Sequence, residues 1–499
     1  MRVLIFHGYL LRGTGSNIYN ASLARALADL GHEVHLVCQE RRTEGLGFVD
    51  GVRCTFHVPD IAGLLPLYVA DEYEGFTALP FPELDDAQIE RYVDLNVRAV
   101  AAVAEKVKPD VALANHLIMG PVILARALGA RVPYAVKVHG SALEYVVRPH
   151  RERFLPWARE GLAGASAVLV GSRHTAESLW EVMDEPGLAA RTRLGPPGVD
   201  VHAFRPRSVG EAEEGLARLA GSLEGAEAAT WGGEAGAAEA VRALDPARDR
   251  IVGYVGKLIV SKGVDLLLAA WPLVVAEVPE ARLCVVGFGT YRAGLEQIAE
   301  ALANADLEAL GEVAARGREL EGGPRSELRY VRAFLDELGA ERREAYLAAA
   351  PHAAERVHFT GRLEHDALPA LLPAFEAQVV PSTFPESFGM VAAEAAACGA
   401  VPVSAAHSGL AEVTSVLAPS LDESLRPLLS FAPGPQAVLE LADRLVRLLS
   451  LSPSERARAR AGLARMARSR FGWESVAEGI IAAAQGRLAD LAVVPSDTA

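Results

Sequence analysis

Two glutamates, Glu386 and Glu394, end the segment Glu386-Ser387-Phe388-Gly389-Met390-Val391-Ala392-Ala393-Glu394, and carboxylates so spaced can hold the hydroxyls of a sugar. The segment follows a strand-like apolar run, Gln378-Val379-Val380-Pro381, and opens a small-residue helix expected to stop at Cys398-Gly399. Glu386 is therefore expected on the loop at a helix N-terminus, with Glu394 about two turns further on, roughly 12 Å away at 1.5 Å rise per residue. A helix N-terminus offers unpaired N–H donors and partial positive charge, which suits a phosphate or a polyhydroxyl ligand. Gly389 has no side chain to hold a ligand off its backbone. The separation matches a sugar at one end of a ligand and a ribose at the other, the outline of a nucleotide sugar.

Cations for the middle of such a ligand stand in Gly256-Lys257-Leu258-Ile259-Val260-Ser261-Lys262-Gly263. Two ammonium groups on one strand-to-helix loop can both reach a diphosphate. His139-Gly140-Ser141 follows a third apolar run, and Gly13-Thr14-Gly15-Ser16 follows a fourth. The last of these lacks the third glycine of the dinucleotide fingerprint, so NAD is not the expected ligand.

The elements that must position these residues alternate as strands and helices. Arg2–Phe6, Glu33–Val37, Val111–Asn115, Tyr134–His139 and Ala167–Val170 read as buried strands, and Leu23, Leu27 and Leu30 mark a helix closed by Gly31. A second alternation begins near Arg250, with strands Ile251–Val255, Ala281–Val286, Arg356–Thr360 and Ala377–Val380 and a helix over Val264–Val278. Two such rounds predict two α/β, doubly wound domains, whose ligands bind at the carboxyl ends of the strands. Gly13, Gly15, His139, Lys257, Lys262 and Glu386 all follow strands, and are expected to converge on one cleft.

The stretch containing Val380, Ser382, Glu386, Phe388-Gly389, Glu394-Ala395, Cys398-Gly399, Pro402-Val403, Gly409-Leu410 and Glu412-Val413 resembles the signature of family-4 retaining glycosyltransferases. Their fold, GT-B, has two Rossmann-like domains facing across a cleft and a C-terminal helix that crosses back to the first. The loop Gly256–Gly263 is similar to the family's Gly-Arg/Lys…Lys-Gly motif, with Lys257 where arginine is commoner; the charge is kept and the bidentate fork is lost. The resemblance implies that Lys257 and Lys262 hold the diphosphate, and that Glu386 and the backbone of Ser387, Phe388 and Gly389 hold the sugar. It further implies that Glu394 anchors the ribose, that Phe359-Thr360-Gly361-Arg362-Leu363 reads the base near Gly287-Phe288-Gly289, and that His139 meets the donor sugar. Catalytic roles fall to Lys257, Lys262, His139 and Glu386, and donor binding adds Gly13, Gly15, Arg362, Leu363, Ser387, Phe388, Gly389 and Glu394. The implied reaction moves a sugar from a UDP- or GDP-linked donor to a hydroxyl acceptor with retention, and needs no cofactor. Gly198 and Asp200, in Gly195-Pro196-Pro197-Gly198-Val199-Asp200, are read as turn formers before the second domain.

At 499 residues the chain is long enough for two cores. Its formal charge of -15 argues against a nucleic-acid groove but leaves room for local cations on a diphosphate. Cys38, Cys54, Cys284 and Cys398 are scattered, without paired metal-ligand spacing, and suit reduced thiols in the cytoplasm. No apolar run reaches the length of a membrane span, while the arginines from Arg456 to Arg470 form a basic helix suited to a solvated face, an inter-domain surface or peripheral membrane contact. The domains are expected at 1–205 and 250–472. An Ala/Gly/Glu-rich insertion, partly helical or disordered, lies at 206–249, a helical insertion at about 295–356, and a crossover helix and tail at 473–499. A sugar phosphorylase or epimerase on the same architecture, or a non-catalytic nucleotide-sugar-binding subunit, are the rival readings. Acceptor, donor sugar, base, linkage and oligomeric state are not encoded legibly.

Overall fold

The computed structural model describes residues 1–13, 15–41, 53–69, 75–224 and 233–495. The chain divides into two compact units, one of residues 1–198 with 471–499 and the other of 199–470.

The first unit is built on a parallel sheet. Its strands are β1 (Arg2–Phe6), β2 (Glu33–Val37), β3 (Cys54–His57), β6 (Val111–Asn115), β7 (Tyr134–Val138), β8 (Ala167–Val170) and β9 (Thr192–Leu194), in the order β3-β2-β1-β6-β7-β8-β9; a separate pair is formed by β4 (Leu64–Leu67) and β5 (Thr77–Pro80). Alternation along the strands feeds two cores. Leu4 and Phe6 of β1 join Ala112 and Ala114 of β6 on one face, and Val3 and Ile5 join Val111 and Leu113 on the other. Both faces are covered, which is why these strands read as unbroken apolar runs. Each fully buried Val, Leu or Ile contributes roughly 1.5–3 kcal/mol. The C-terminal helix Trp473–Ala484 belongs to this unit, and its Ala477, Ile480 and Ile481 share a core with Leu23 and Leu27 of the helix Gly15–Asp29. Gly198 lies under Trp473, where an added Cβ would stand 2.4 Å from the indole, so this glycine serves close packing.

The second unit repeats the plan with β10 (Arg250–Val255), β11 (Ala281–Val286), β12 (Val357–Gly361), β13 (Ala377–Val380), β14 (Val401–Ala405) and β15 (Ser430–Phe431), all parallel, in the order β12-β11-β10-β13-β14-β15. The sheet grows outward in both directions from β10 and β13, so their carboxyl ends flank its topological switch point, the crevice where ligands of doubly wound folds bind.

The expected boundaries shift in this structure. The first unit ends at Gly198 rather than Arg205, because Phe204 is buried in the second unit against the His365 ring, at 5.2 Å between centroids. Residues 206–249 also belong to the second unit, with helices Val209–Leu223 and Ala237–Arg242; residues 225–232 lie outside the described residues. The segment expected as a helical insertion at 295–356 includes Leu307–Arg316, Arg329–Asp336 and Ala340–Ala354, and the last is tied to the helix Val264–Glu277 by Tyr346 Oη donating to Ala269 O at 3.0 Å. The basic helix Pro453–Phe471 uses Arg456 on Glu376 at 3.1 Å, Arg458 on Asp422 at 3.0 Å, and Arg460 on the carbonyls of Pro373 and Phe375. Its N-terminal half is therefore engaged within the unit.

Gly253, inside β10, marks a close approach of the kind glycine permits in strands: an added Cβ would lie 2.0 Å from the Phe375 ring. Gly253→Ala is expected to destabilise the second unit by about 1–3 kcal/mol through overpacking. Urea unfolding of the full chain reads this as a lower midpoint, and an unchanged midpoint would contradict the packing described.

Candidate functional site

The loops after β10 and β13 meet at the switch point of the second unit. Thr383 N–H donates to Ser261 O at 2.9 Å, and Gly263, with φ +69°, lies so close to Pro381 that an added Cβ would stand 2.0 Å from its carbonyl oxygen. This contact brings together a cation and a carboxylate from the two loops. The Lys262 ammonium pairs directly with the Glu386 carboxylate. Ser382 Oγ donates to the same oxygen, Glu386 Oε1, at 2.5 Å. Burial would push the Glu386 carboxyl up, but the Lys262 charge and the two hydrogen bonds outweigh it and hold the group below its ordinary value.

The backbone of Glu386 is fixed as well. Its N–H donates to Ser408 Oγ at 2.9 Å, its carbonyl accepts from Gly409 N–H at 2.9 Å, and His407 Nε2 lies 2.7 Å from Ser382 O. Ser387 and Phe388 continue the loop to Gly389, whose φ of +129° suits glycine. The helix begins only at Met390, so the separation of the two glutamates is not set by helical rise alone, and Glu394 stands just over one turn in. Lys257 lies on the same loop as Lys262, and its carbonyl accepts from Tyr254 Oη at 2.9 Å. Glu321, from the helical insertion, receives the Val260 N–H at 2.8 Å and steadies the short turn Val260–Lys262.

Glu394 is buried, at 3 % exposure, and its Oε1 lies 2.7 Å from His365 Nε2. Burial alone would lower the His365 imidazole; the charge of Glu394 and its hydrogen bond more than reverse this, with Asp366 and Asp200 adding to the effect, so the ring is held above its ordinary value. Arg362 pairs with Glu364 at 2.8 Å and lies 5.6 Å from the centre of the Phe288 ring, Leu363 stands between them in sequence, and Gly287 N–H donates to Gly361 O at 2.9 Å. The segments read as base-facing are thus adjacent. Gly233 bridges to Gly361, and Glu234 pairs with Arg292 at 2.7 Å beside them.

Gly13, Gly15 and His139 belong to the first unit. Gly13 has φ +90°, and Gly15 opens the helix Gly15–Asp29. His139 follows β7, with Nε2 2.8 Å from Asn115 Oδ1 and its ring 5.0 Å from Tyr19 and 4.9 Å from His116. Burial, then the neighbouring His116, Lys137 and His7, hold the imidazole well below its ordinary value. Sequence reasoning missed His365, His407, Ser408 and Glu321 as partners, and quoted Ser382 only within the longer segment. His365, His407, Ser408 and Glu321 act through contacts distant in sequence, and only the adjacency of Arg362-Leu363 to His365 hinted at one of them.

Residues 14–198 match the Glycosyl transferase 4-like domain, and residues 249–322 and 334–416 match two patterns described as Glycosyl transferases group 1. A D-inositol 3-phosphate glycosyltransferase of Frankia alni is 26% identical over 493 residues, 96% of each chain. The chain belongs to the family-4 glycosyltransferases. A second relative of that description, from Segniliparus rotundus, is 29% identical over 305 residues, which span 60% of this chain and 48% of that one. The solved structure of Anabaena HepE in complex with UDP and glucose superposes with a TM-score of 0.57 at 16% identity, covering 96% of this glycosyltransferase and 98% of HepE. Its fold is GT-B. Among the described residues no helix is long and apolar enough to cross a membrane, and no group of three or more His, Cys, Asp or Glu side chains is arranged to hold a metal ion.

The His365–Glu394 pair carries a pH dependence with a definite sign. A histidine raised by its partner stabilises the folded state fully below its unfolded value of ~6.5, and that contribution is lost as pH rises through the raised folded value. Wild type should therefore exceed His365→Gln in unfolding midpoint most at pH ~6, with the margin shrinking on the alkaline side. A margin independent of pH would contradict the pairing.

Proposed function

We propose that this glycosyltransferase takes a sugar from a nucleoside diphosphate and passes it to an acceptor hydroxyl with retention of configuration, without a metal. The observation that carries the reading is the Lys262–Glu386–Ser382 cluster at the switch point of the second sheet, with Glu394 buried on the helix that follows. An ammonium has three donors and can serve Glu386 and a phosphate together. In this reading Lys262 and Lys257 balance the charge that grows on the departing diphosphate, Glu386 and the backbone from Ser387 to Gly389 orient the sugar, and Glu394 takes the ribose. The acceptor oxygen bonds to the anomeric carbon as the carbon–oxygen bond to phosphate breaks, and the hydroxyl proton goes to the leaving diphosphate on the same face. His139 is the first unit's candidate for a sugar contact. UDP or GDP is the expected carrier, and the UDP bound by HepE favours that class. A cytoplasmic location accompanies the reading, in keeping with four buried, unpaired cysteines.

A panel of UDP- and GDP-linked sugars incubated with the protein in EDTA tests the whole. Release of nucleoside diphosphate from at least one donor is expected. Release that requires added metal would overturn the metal-free chemistry, and no release from any of them would overturn the donor class. With the productive donor, Lys262→Ala should lower kcat by about 10²–10³-fold, the scale of one transition-state charge contact; unchanged kcat would contradict its role. Glu394→Ala should weaken nucleoside diphosphate binding by roughly 1–3 kcal/mol, since a ribose contact is made before and during reaction. Equal affinities by calorimetry would remove that assignment.

A further inference from the structure

Four hydrogen bonds of the second unit close a ring through Ser382, Glu386, Ser408 and His407, and the chemistry of the atoms sets the direction of each. Ser382 Oγ donates to Glu386 Oε1 at 2.5 Å, because a carboxylate oxygen can only accept. The Glu386 backbone N–H donates to Ser408 Oγ at 2.9 Å. His407 Nε2 lies 2.7 Å from Ser382 O, and a carbonyl can only accept, so Nε2 carries the ring proton. With the proton there, Nδ1 is the acceptor, and Ser408 Oγ donates to it at 2.9 Å. Every bond therefore points the same way around the ring, from Ser382 to Glu386, Ser408, His407 and back. Bonds so arranged polarise one another and strengthen together.

We propose that His407 and Ser408 are positioning residues for the donor sugar: with Ser382 they turn Glu386 so that Oε1 faces the protein and Oε2 is the one oxygen presented to a sugar hydroxyl. This rests on the reading of Glu386 as a sugar contact. Oε1 already receives both the Lys262 ammonium and the Ser382 hydroxyl, and among the described residues no donor hydrogen-bonds Oε2. The Glu386 side chain keeps 24 % exposure, whereas Ser382 behind it keeps 1 %. The backbone of Ser408 points to the same role. It stands at φ +49°, in the left-handed region that glycine occupies without penalty and that few other residues enter. What serine adds there is a hydroxyl, and that hydroxyl is used twice, once to accept and once to donate. The next residue, Gly409, returns its N–H to Glu386 O at 2.9 Å, and an added Cβ on it would stand 2.6 Å from the Phe388 backbone. The loop after β14 thus holds the Glu386 peptide from both sides, and the ring carries that hold through to the carboxylate.

The test compares Ser408→Gly, His407→Leu and the double variant with Glu386→Ala in the full chain. Ser408→Gly relieves the backbone as it removes the hydroxyl, so it should remain folded by urea unfolding. With the productive donor, kcat/KM should fall about tenfold in each single variant, the scale of one hydrogen bond lost. The double variant should fall no further, because one break opens the ring. Calorimetry with the nucleoside diphosphate alone should give wild-type affinity in all three, since the ring acts on the sugar end of the donor. Unchanged kcat/KM in the folded single variants, beside a loss in Glu386→Ala, would overturn the positioning role and leave the sugar contact standing. No loss in Glu386→Ala would overturn the sugar contact itself. Additive losses in the double variant would contradict the closed ring, and equal weakening of the bare diphosphate would contradict its assignment to the sugar. Long-range ¹H–¹⁵N spectroscopy at pH 8 reads the ring without turnover, with His407 assigned by the signal missing in His407→Leu. Wild-type His407 should be protonated at Nε2, and its Nδ1 resonance should move in Ser408→Gly. An Nδ1–H tautomer in wild type would overturn the ring, and that spectrum decides should either variant fail to fold.

Discussion

The ion pair between Lys262 and Glu386 is the constraint around which the second unit is organised. It joins the loop after β10 to the loop after β13, the two strands that flank the point where the sheet reverses its direction of growth. Bringing an ammonium and a carboxylate this close, partly buried, is favourable only when other groups complete their hydrogen bonds. Ser382 does so for the carboxylate side chain, while Ser408 and Gly409 fix the backbone behind it. The backbones around the pair approach so closely that side chains are excluded. Gly263 packs on Pro381, and an added Cβ on Gly287 would lie 1.9 Å from Gly256 O. Charge and sterics thus hold one set of loops in one arrangement, which is what a site that acts by position and charge requires.

The first unit achieves fixed geometry differently. Where the second unit uses charge, the first buries imidazoles and amides at the carboxyl ends of β1, β6 and β7, and links His7, Asn20, Asn115 and His139 in series. His7, His116 and His139 are all lowered by burial, and Lys137, also buried, is brought down to about 7. A low-dielectric interior strengthens each hydrogen bond that is made and penalises each one left unmade, so such a network specifies orientation strongly. The same doubly wound plan carries a charged clamp in one unit and a hydrogen-bonded series of imidazoles and amides in the other.

Central parallel strands were legible in the sequence because burial on both faces leaves an unbroken apolar run: Arg2–Phe6, Glu33–Val37, Val111–Asn115, Ala167–Val170, Ala281–Val286 and Ala377–Val380 fall where the pattern put them. Edge strands and strands that contain proline were not. Cys54–His57 lies at a sheet edge with mixed exposure, Leu64–Leu67 contains Pro66, and Val401–Ala405 contains Pro402, a residue that argues against a central strand yet sits opposite Gln378. Around the switch point of the second unit, motif spacing singled out Lys262, Glu386 and Glu394 individually as candidates. It could not reveal that Lys262 holds Glu386 or that His365 holds Glu394, since residues so far apart in sequence become neighbours only through sheet order. The series from His7 to His139 was illegible for the same reason: its two asparagines and two histidines come from four segments.

Hydrogen exchange of the full chain, with and without a saturating UDP- or GDP-linked sugar, tests the central claim most directly because it reports where the ligand sits independently of turnover. The account predicts slower exchange in segments 256–263, 361–365 and 381–394 of the second unit. Binding that leaves those three segments unprotected while slowing exchange elsewhere would contradict it.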